Sequence, residues 1–194
     1  MYGRGTLKTF FFNSLCAAVF LTCSSSVWAG ESIKKLTQNN VKAFIENTTD
    51  VTTGNSQNLS PEKITAYLDK HLEKKARFKS VMKYHIPGMP IQQAELSLTK
   101  DEFMKSVAEG AGAVEGYENL IEIKQIKISS NGKKAFVKTE STEYATMSVP
   151  TETGTPQDVP IEGLSACTQI LSLNSGVIQM YSANCTTNIQ FLEY

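Results

Sequence analysis

From Ile121 to Phe191 the chain reads as a succession of strands, and that run constrains the fold more than any other stretch. Ile121 and Ile123 share one parity, Ile126 and Ile128 the other. A phase slip between apolar pairs marks a β-bulge near Lys124-Gln125, and a bulge bends a sheet. Ser129-Ser130-Asn131-Gly132 carries the Asn-Gly of a tight hairpin. Lys134 to Val149 reads as one long strand. Residues 150–163 hold Pro150, Pro156, Pro160, Gly154 and Gly163, the composition of an irregular exposed loop. Leu164 to Leu173 and Val177 to Phe191 read as the last two strands, joined through Asn174-Ser175-Gly176.

The upstream chain supplies helices. After a polar lead-in over residues 30–36, Thr37 caps a helix with Val41, Phe44, Ile45 and Thr48 on one face. Residues 50–59 read as a loop. Ser60-Pro61 opens a second helix, with Ser as cap and Pro at the first position. Its apolar face is Ile64, Tyr67, Leu68 and Leu72. Phe78, Ser80, Met82 and Tyr84 then alternate with polar neighbours as a half-buried strand. Pro87-Gly88 turns it back into Ile91–Leu98. Thr99 and Glu102 form a capping box, with Leu98 and Phe103 placed as a hydrophobic staple. This third helix buries Phe103, Met104, Val107, Ala111 and Val114 and ends near Gly116.

The first residues set the compartment. Arg4 and Lys8 precede an apolar stretch of about 13 residues and the small residues Val27 and Ala29. That is a secretory signal, too short for a spanning helix, with cleavage after Ala29. The expected organisation is therefore a signal peptide at 1–29 and one exported domain at 30–194, in a periplasm or secreted. Removing Arg4 and Lys8 from nineteen basic residues leaves seventeen against nineteen acidic ones, a net charge of −2. No basic stripe for nucleic acid survives, and no second apolar run reaches membrane-spanning length. Cys16 and Cys23 leave with the signal, so Cys167 and Cys185 are expected to pair in an oxidising compartment. A zinc site would need nearby ligands, and His71 and His85 are distant in sequence. A three-residue turn at 174–176 would leave the two cysteines misaligned by one pair, which a bulge or a longer turn would repair.

Helix, helix, hairpin, capped helix and a curved antiparallel meander resembles the nuclear-transport-factor-2-like superfamily. The resemblance rests on the Ser60-Pro61 helix, the Pro87-Gly88 hairpin, the helix start at Leu98-Thr99-Lys100-Asp101-Glu102-Phe103, and the bulged Ile121–Ile128 strand. It covers roughly residues 37–192 and is architectural. It implies an α+β fold in which three helices pack on a strongly curved, mainly antiparallel sheet of about six strands, cone-like in shape. In such folds the cone can hold a small apolar ligand. Ketosteroid isomerases and scytalone dehydratase are enzymes with this fold, and many other members only bind.

The sequence carries no acid, base and donor set that would converge on a substrate. His71 reads as a helix-surface residue and His85 as a polar strand end. Glu95, Glu140 and Glu143 lie on strands among polar neighbours, as solvent-facing residues do. Gly110 to Gly116 follows no strand and precedes no lysine, so it is not a nucleotide loop. No metal and no other cofactor is implied. The expectation is a binding or interaction domain without catalysis, its partner a small apolar molecule or another exported protein. A cavity would be lined by Met82, Tyr84, Tyr144 and Met180. The alternative is an isomerase- or dehydratase-like enzyme using a cavity carboxylate or His85. Mass spectrometry of the exported protein should give a chain beginning at Gly30; a mass that still includes residues 24–29 would contradict the assigned cleavage site.

Overall fold

The computed structural model describes residues 32–53, 59–110, 118–150 and 156–192. In chain order these form α1 (Gln38–Thr53), α2 (Pro61–His71), β1 (Leu72–His85), β2 (Gln92–Thr99), α3 (Lys100–Gly110), β3 (Glu118–Ile128), β4 (Lys134–Pro150), β5 (Pro156–Asn174) and β6 (Val177–Phe191). The strands make one sheet in the order β2-β1-β6-β5-β4-β3. Every neighbouring pair is antiparallel except β1 with β6. The sheet is curled but not closed, and the helices pack on it, giving the α+β architecture that the resemblance implied.

Local chemistry explains the bends. On β3, Ile123 faces Thr139 and Gln125 faces Lys138, so Lys124 is the extra residue of the bulge expected there. Gly132 closes the following turn with φ of 65°. The β5–β6 turn has only two central residues, Ser175 at φ 48° and Gly176 at φ 80°. Both are left-handed, as a type I′ hairpin requires. A second bulge sits higher up, where Leu171 faces Met180 but Ile170 faces Ser182, leaving Tyr181 over. The shorter turn and the bulge move the pairing in the same direction. Together they set Cys167 opposite Cys185, bonded, with Cα atoms 4.1 Å apart. In the chain-entropy picture a loop of this separation, 18 residues, contributes on the order of 3 kcal/mol.

The first and third helices start at side-chain caps, whereas Ser60 makes no side-chain cap bond to α2, which starts at Pro61. Thr37 and Asn40 cap α1 reciprocally, Thr37 N–H to Asn40 Oδ1 at 2.8 Å and Asn40 N–H to Thr37 Oγ1 at 3.2 Å. Thr99 N–H donates to Glu102 Oε2 at 2.8 Å, and Glu102 N–H returns to Thr99 Oγ1 at 3.3 Å, completing the capping box. Phe103 then stacks on Phe78 with ring centroids 4.0 Å apart. Lys100 Nζ lies 2.6 Å from Asp69 Oδ1, tying α3 to α2. The stretch expected to carry α3 on to Gly116, with Ala111 and Val114, lies outside the described residues.

Four expectations are corrected. The first concerns α1, which runs on to Thr53 where a loop from residue 50 was expected. Buried Val51 continues the Val41, Phe44 and Thr48 stripe, and the Thr52 and Thr53 hydroxyls donate to carbonyls one turn back. The second concerns β1, which begins at Leu72, directly after α2, instead of near Phe78. Leu72 is extended (φ −108°, ψ 132°) and pairs with Met180. Glu73 is held there by the hydroxyl of Ser172 and by Asn174 Nδ2 at 3.3 Å. The third is the loop expected over 150–163. Residues 156–163 are strand, because β4 and β5 stay paired down to Pro150 opposite Pro156. Pro160 is tolerated because it falls where β6 stops. Its carbonyl accepts from Leu192 N–H at 2.9 Å, and the donor it lacks would serve only that last position. The fourth is His71, described below.

The lead-in does more than its polarity suggested. Ile33 N–H donates to Gly176 O at 3.2 Å and Leu36 N–H to Gly132 O at 2.8 Å, so this strap joins the two hairpin tips. The main core lies between the helices and the concave face, with Phe44, Ile45, Ile64, Leu68, Val137 and Leu171 at its centre. A second cluster of Met82, Tyr84, Val159, Ile161, Ile189 and Phe191 lies farther along the sheet.

His71 is 3% exposed, not on the helix surface. It occupies the last turn of α2, where the same face that buries Ile64 and Leu68 turns inward. Its ring lies 4.5 Å from that of Tyr67 and 5.7 Å from that of Phe44. Nδ1 is 2.9 Å from the Ile178 carbonyl oxygen, so it donates there. Burial pushes the His71 pKa below its ordinary value; the Ile178 hydrogen bond opposes this and Lys70 adds to it. The fold thus prefers neutral His71, whereas the unfolded chain takes up a proton near pH 6.5. Its contribution is complete above that pH and is lost as the pH falls toward the lowered folded-state value. His71→Phe should cost about 1 kcal/mol at neutral pH through the lost hydrogen bond and should flatten the fall in stability below pH 6.5. Urea unfolding across that range checks this; an unchanged slope would contradict it.

Candidate functional site

The middle of the concave face is polar. Sheet register lines up Thr139, Cys167, Cys185 and Ser80 in one row across β4, β5, β6 and β1. The next row is Ser141, Ser165, Thr187 and Met82, and the one after it is Glu143, Gly163, Ile189 and Tyr84. These rows place a belt of hydroxyls, the disulfide and one carboxylate between the two apolar clusters. Above the belt lies a cavity of about 100 Å³. Its apolar wall includes Ile45, Leu72, Phe78, Leu98, Phe103 and Met180. Thr48, Thr49 and Thr52 of α1 face it from the helix side.

Glu143 is the unexpected member. It lines the cavity and is 5% exposed, whereas its polar sequence neighbours had suggested a solvent-facing side chain. Strand parity explains the difference. Ala135, Val137, Thr139, Ser141 and Glu143 all point inward, while Thr142 and Tyr144 belong to the outer series. Counting by twos from the apolar Val137 would have found it. Both Ser141 Oγ and Ser165 Oγ donate to Glu143 Oε1, each at 3.4 Å, and Ser165 Oγ lies 2.8 Å from Thr187 Oγ1. At 3.4 Å the two serine contacts are long for O–H···O bonds.

The remaining candidates are scattered. Met180 lines the cavity. Met82 and Tyr84 are buried in the second cluster, where the Tyr84 hydroxyl donates to Met82 Sδ at 3.5 Å, and neither lines the cavity. Burial pushes the Tyr84 phenol up to about 12. Tyr144 is 38% exposed, and its hydrogen bond to Glu162 raises its phenol pKa. His85 is half-buried at the end of β1, away from the cavity lining. Glu95 is exposed and accepts from Gln93 Nε2 at 3.0 Å; Glu140 is exposed and pairs with Lys124 at 3.1 Å.

Two further groups edge the cavity. Thr48 Oγ1 is 2.9 Å from the Tyr67 hydroxyl, and burial raises that phenol to about 12. Gln169 also lines the cavity, and its buried Oε1 has no hydrogen-bond partner among the described residues. Among the described residues no three His, Cys, Asp or Glu side chains come together as a metal site would need. The arrangement can seat a small body, accept hydrogen bonds from it and present a carboxylate to it.

By architecture the chain is similar to nuclear-transport-factor-2-like proteins. One such protein of unknown function, from Silicibacter pomeroyi, is 14% identical over 78% of this chain and 99% of its own, with a TM-score of 0.42. A hexachlorocyclohexane dehydrochlorinase is 9% identical over 80% of this chain and 91% of its own, at 0.46. A domain of unknown function with a cystatin-like fold, from Nostoc punctiforme, is 12% identical over 78% of each chain, at 0.44. No family model matches the sequence, and no curated protein matches it.

Proposed function

We propose that this chain is an exported binding domain that holds a small molecule in the cavity between α1 and the polar belt. The observation that carries the reading is the cavity itself, an apolar wall facing a belt with one buried carboxylate. Small-molecule sites have that composition, mostly apolar with a few placed polar groups. An apolar cavity of about 150 Å³ holds benzene, so this space of about 100 Å³ suits roughly four non-hydrogen atoms, with a larger body reaching out through its open side. Export is supported by the signal-like first 29 residues and by the disulfide. Among the described residues no helix is long and apolar enough to cross a membrane.

A second reading has its own support in Glu143. A carboxylate lining a largely apolar, half-open cavity is a candidate general base for proton transfer on a bound substrate. Binding is preferred because neither the histidines nor Tyr84 and Tyr144 line the cavity to complete an acid-base set.

Ligand-observed NMR with a library of small cyclic alcohols, ketones and amines tests the proposal. Binders should be displaced by Ala183→Phe, which fills the space beside Met180 at a cost of about 1–3 kcal/mol in stability. No binder, or binders indifferent to a folded Ala183→Phe variant, would overturn it. Turnover that disappears in Glu143→Gln would favour the enzyme reading.

A further inference from the structure

One row of the sheet is apolar on every strand but β5. Register sets Ile126, Val137, Gln169, Ala183, Phe78 and Leu98 side by side across β3, β4, β5, β6, β1 and β2. Gln169 is the single polar member, next to the fully buried Val137. It lines the cavity together with Ala183, Phe78 and Leu98. Its Oε1 is buried and has no hydrogen-bond partner among the described residues. An oxygen left in that state has lost its water and gained nothing in exchange, and such groups are rare in native folds. Leucine or methionine would fill the row without that cost. The row thus keeps one hydrogen-bonding position that no described residue fills.

We propose that Gln169 is the recognition group of the cavity and that the occupant is a neutral amide, a primary carboxamide or a lactam, with its hydrocarbon against Phe78, Leu98 and Phe103. This rests on the reading of the cavity as a small-molecule site and adds the chemistry of the occupant. The Gln169 head presents an acceptor and two N–H donors side by side. A second amide is its direct complement, its N–H donating to Oε1 and its carbonyl accepting from Nε2. The match is the same whichever way the Gln169 head is turned, because the ligand carries both functions too. A carboxylate brings only acceptors and leaves Oε1 unpaired, and an ammonium brings only donors and leaves Nε2 unpaired. A ketone lacks the donor. With its attached carbon an amide head has roughly four non-hydrogen atoms, which suits a space of about 100 Å³. Lys79 is the other lining residue with side-chain N–H donors, but it is exposed. Water screens its ammonium, so it does not turn the preference toward an anion. Glu143 lies beyond Thr139 and Ser141 along β4 and takes no part.

The test compares pyrrolidinone with cyclopentanone, five-membered rings that share the carbonyl and differ by the N–H, in NMR titrations of the exported chain at neutral pH. The wild type should bind the lactam at least about tenfold more tightly than the ketone, a difference of about 1.4 kcal/mol. Gln169→Leu should bring the two affinities to within about twofold of each other. Without ligand, the same variant should unfold at a urea concentration equal to or above that of the wild type, because leucine leaves no oxygen unpaired. Ketone binding equal to or tighter than lactam binding would overturn the amide assignment and leave the cavity reading intact. A preference that survives unchanged in Gln169→Leu would overturn the role given to Gln169. A lower urea midpoint, or a variant that does not fold, would mean that the carboxamide holds the sheet and would overturn that role too. Binding of neither ring, while other small cyclic compounds bind and are displaced by Ala183→Phe, would overturn the amide assignment alone. Binding of no small cyclic compound at all would overturn both readings.

Discussion

Register along β5 decides what the concave face is made of. This strand pairs with β4 on one side and β6 on the other over most of its length. A slip of one residue would exchange Ser165, Cys167, Gln169 and Leu171 for Leu164, Ala166, Thr168 and Ile170. The core would then lose Leu171 and the site would lose its belt. Three devices fix the register. They are the two-residue Ser175-Gly176 turn, the bulge at Tyr181 and the Cys167–Cys185 bond. The disulfide lines the cavity as well as cross-linking the hairpin, so the same bond that fixes the pairing also shapes the site.

With the register set, the helices cover the sheet unevenly. Phe44, Ile45, Ile64 and Leu68 pack over the end near Val137 and Leu171, and Phe103 stacks on Phe78. Farther along, the inward positions become Thr139, Ser141, Glu143 and Ser165, which are buried but polar. A sheet evolved only for stability would carry apolar residues there, since buried polar groups are costly unless well bonded. The buried Gln169 Oε1, without a hydrogen-bond partner among the described residues, is a sign that the belt is not optimised for packing. Positions that break the local rule without an evident structural gain are where function is to be sought.

Much of this was legible in the chain because it depends on local chemistry. The Thr99/Glu102 capping box, the Lys124 bulge and the Asn131-Gly132 turn each announce themselves within a few residues. Cys167 and Cys185, the two cysteines beyond the first 29 residues, announced their bond by elimination of partners. What failed required tertiary information. His71 looked like a surface histidine because its burial depends on the Ile178 carbonyl, 107 residues away. The strand from 156 to 163 was hidden by its prolines, whose lost donor matters little only because β6 ends beside Pro160. Glu143 was misjudged by weighing its sequence neighbours, when the neighbours that matter in a strand are two residues away.

The central claim is that Glu143 and its belt serve the cavity and do not hold the sheet together. Urea unfolding of Glu143→Leu against the wild type tests it most directly, because leucine keeps similar volume and removes the carboxylate. The account predicts a free energy of unfolding within about 1 kcal/mol of the wild type, since the relief of burying a carboxylate offsets the loss of two long serine contacts. A loss of about 2 kcal/mol or more would mean that the carboxylate's hydrogen bonds are structural, and would contradict it.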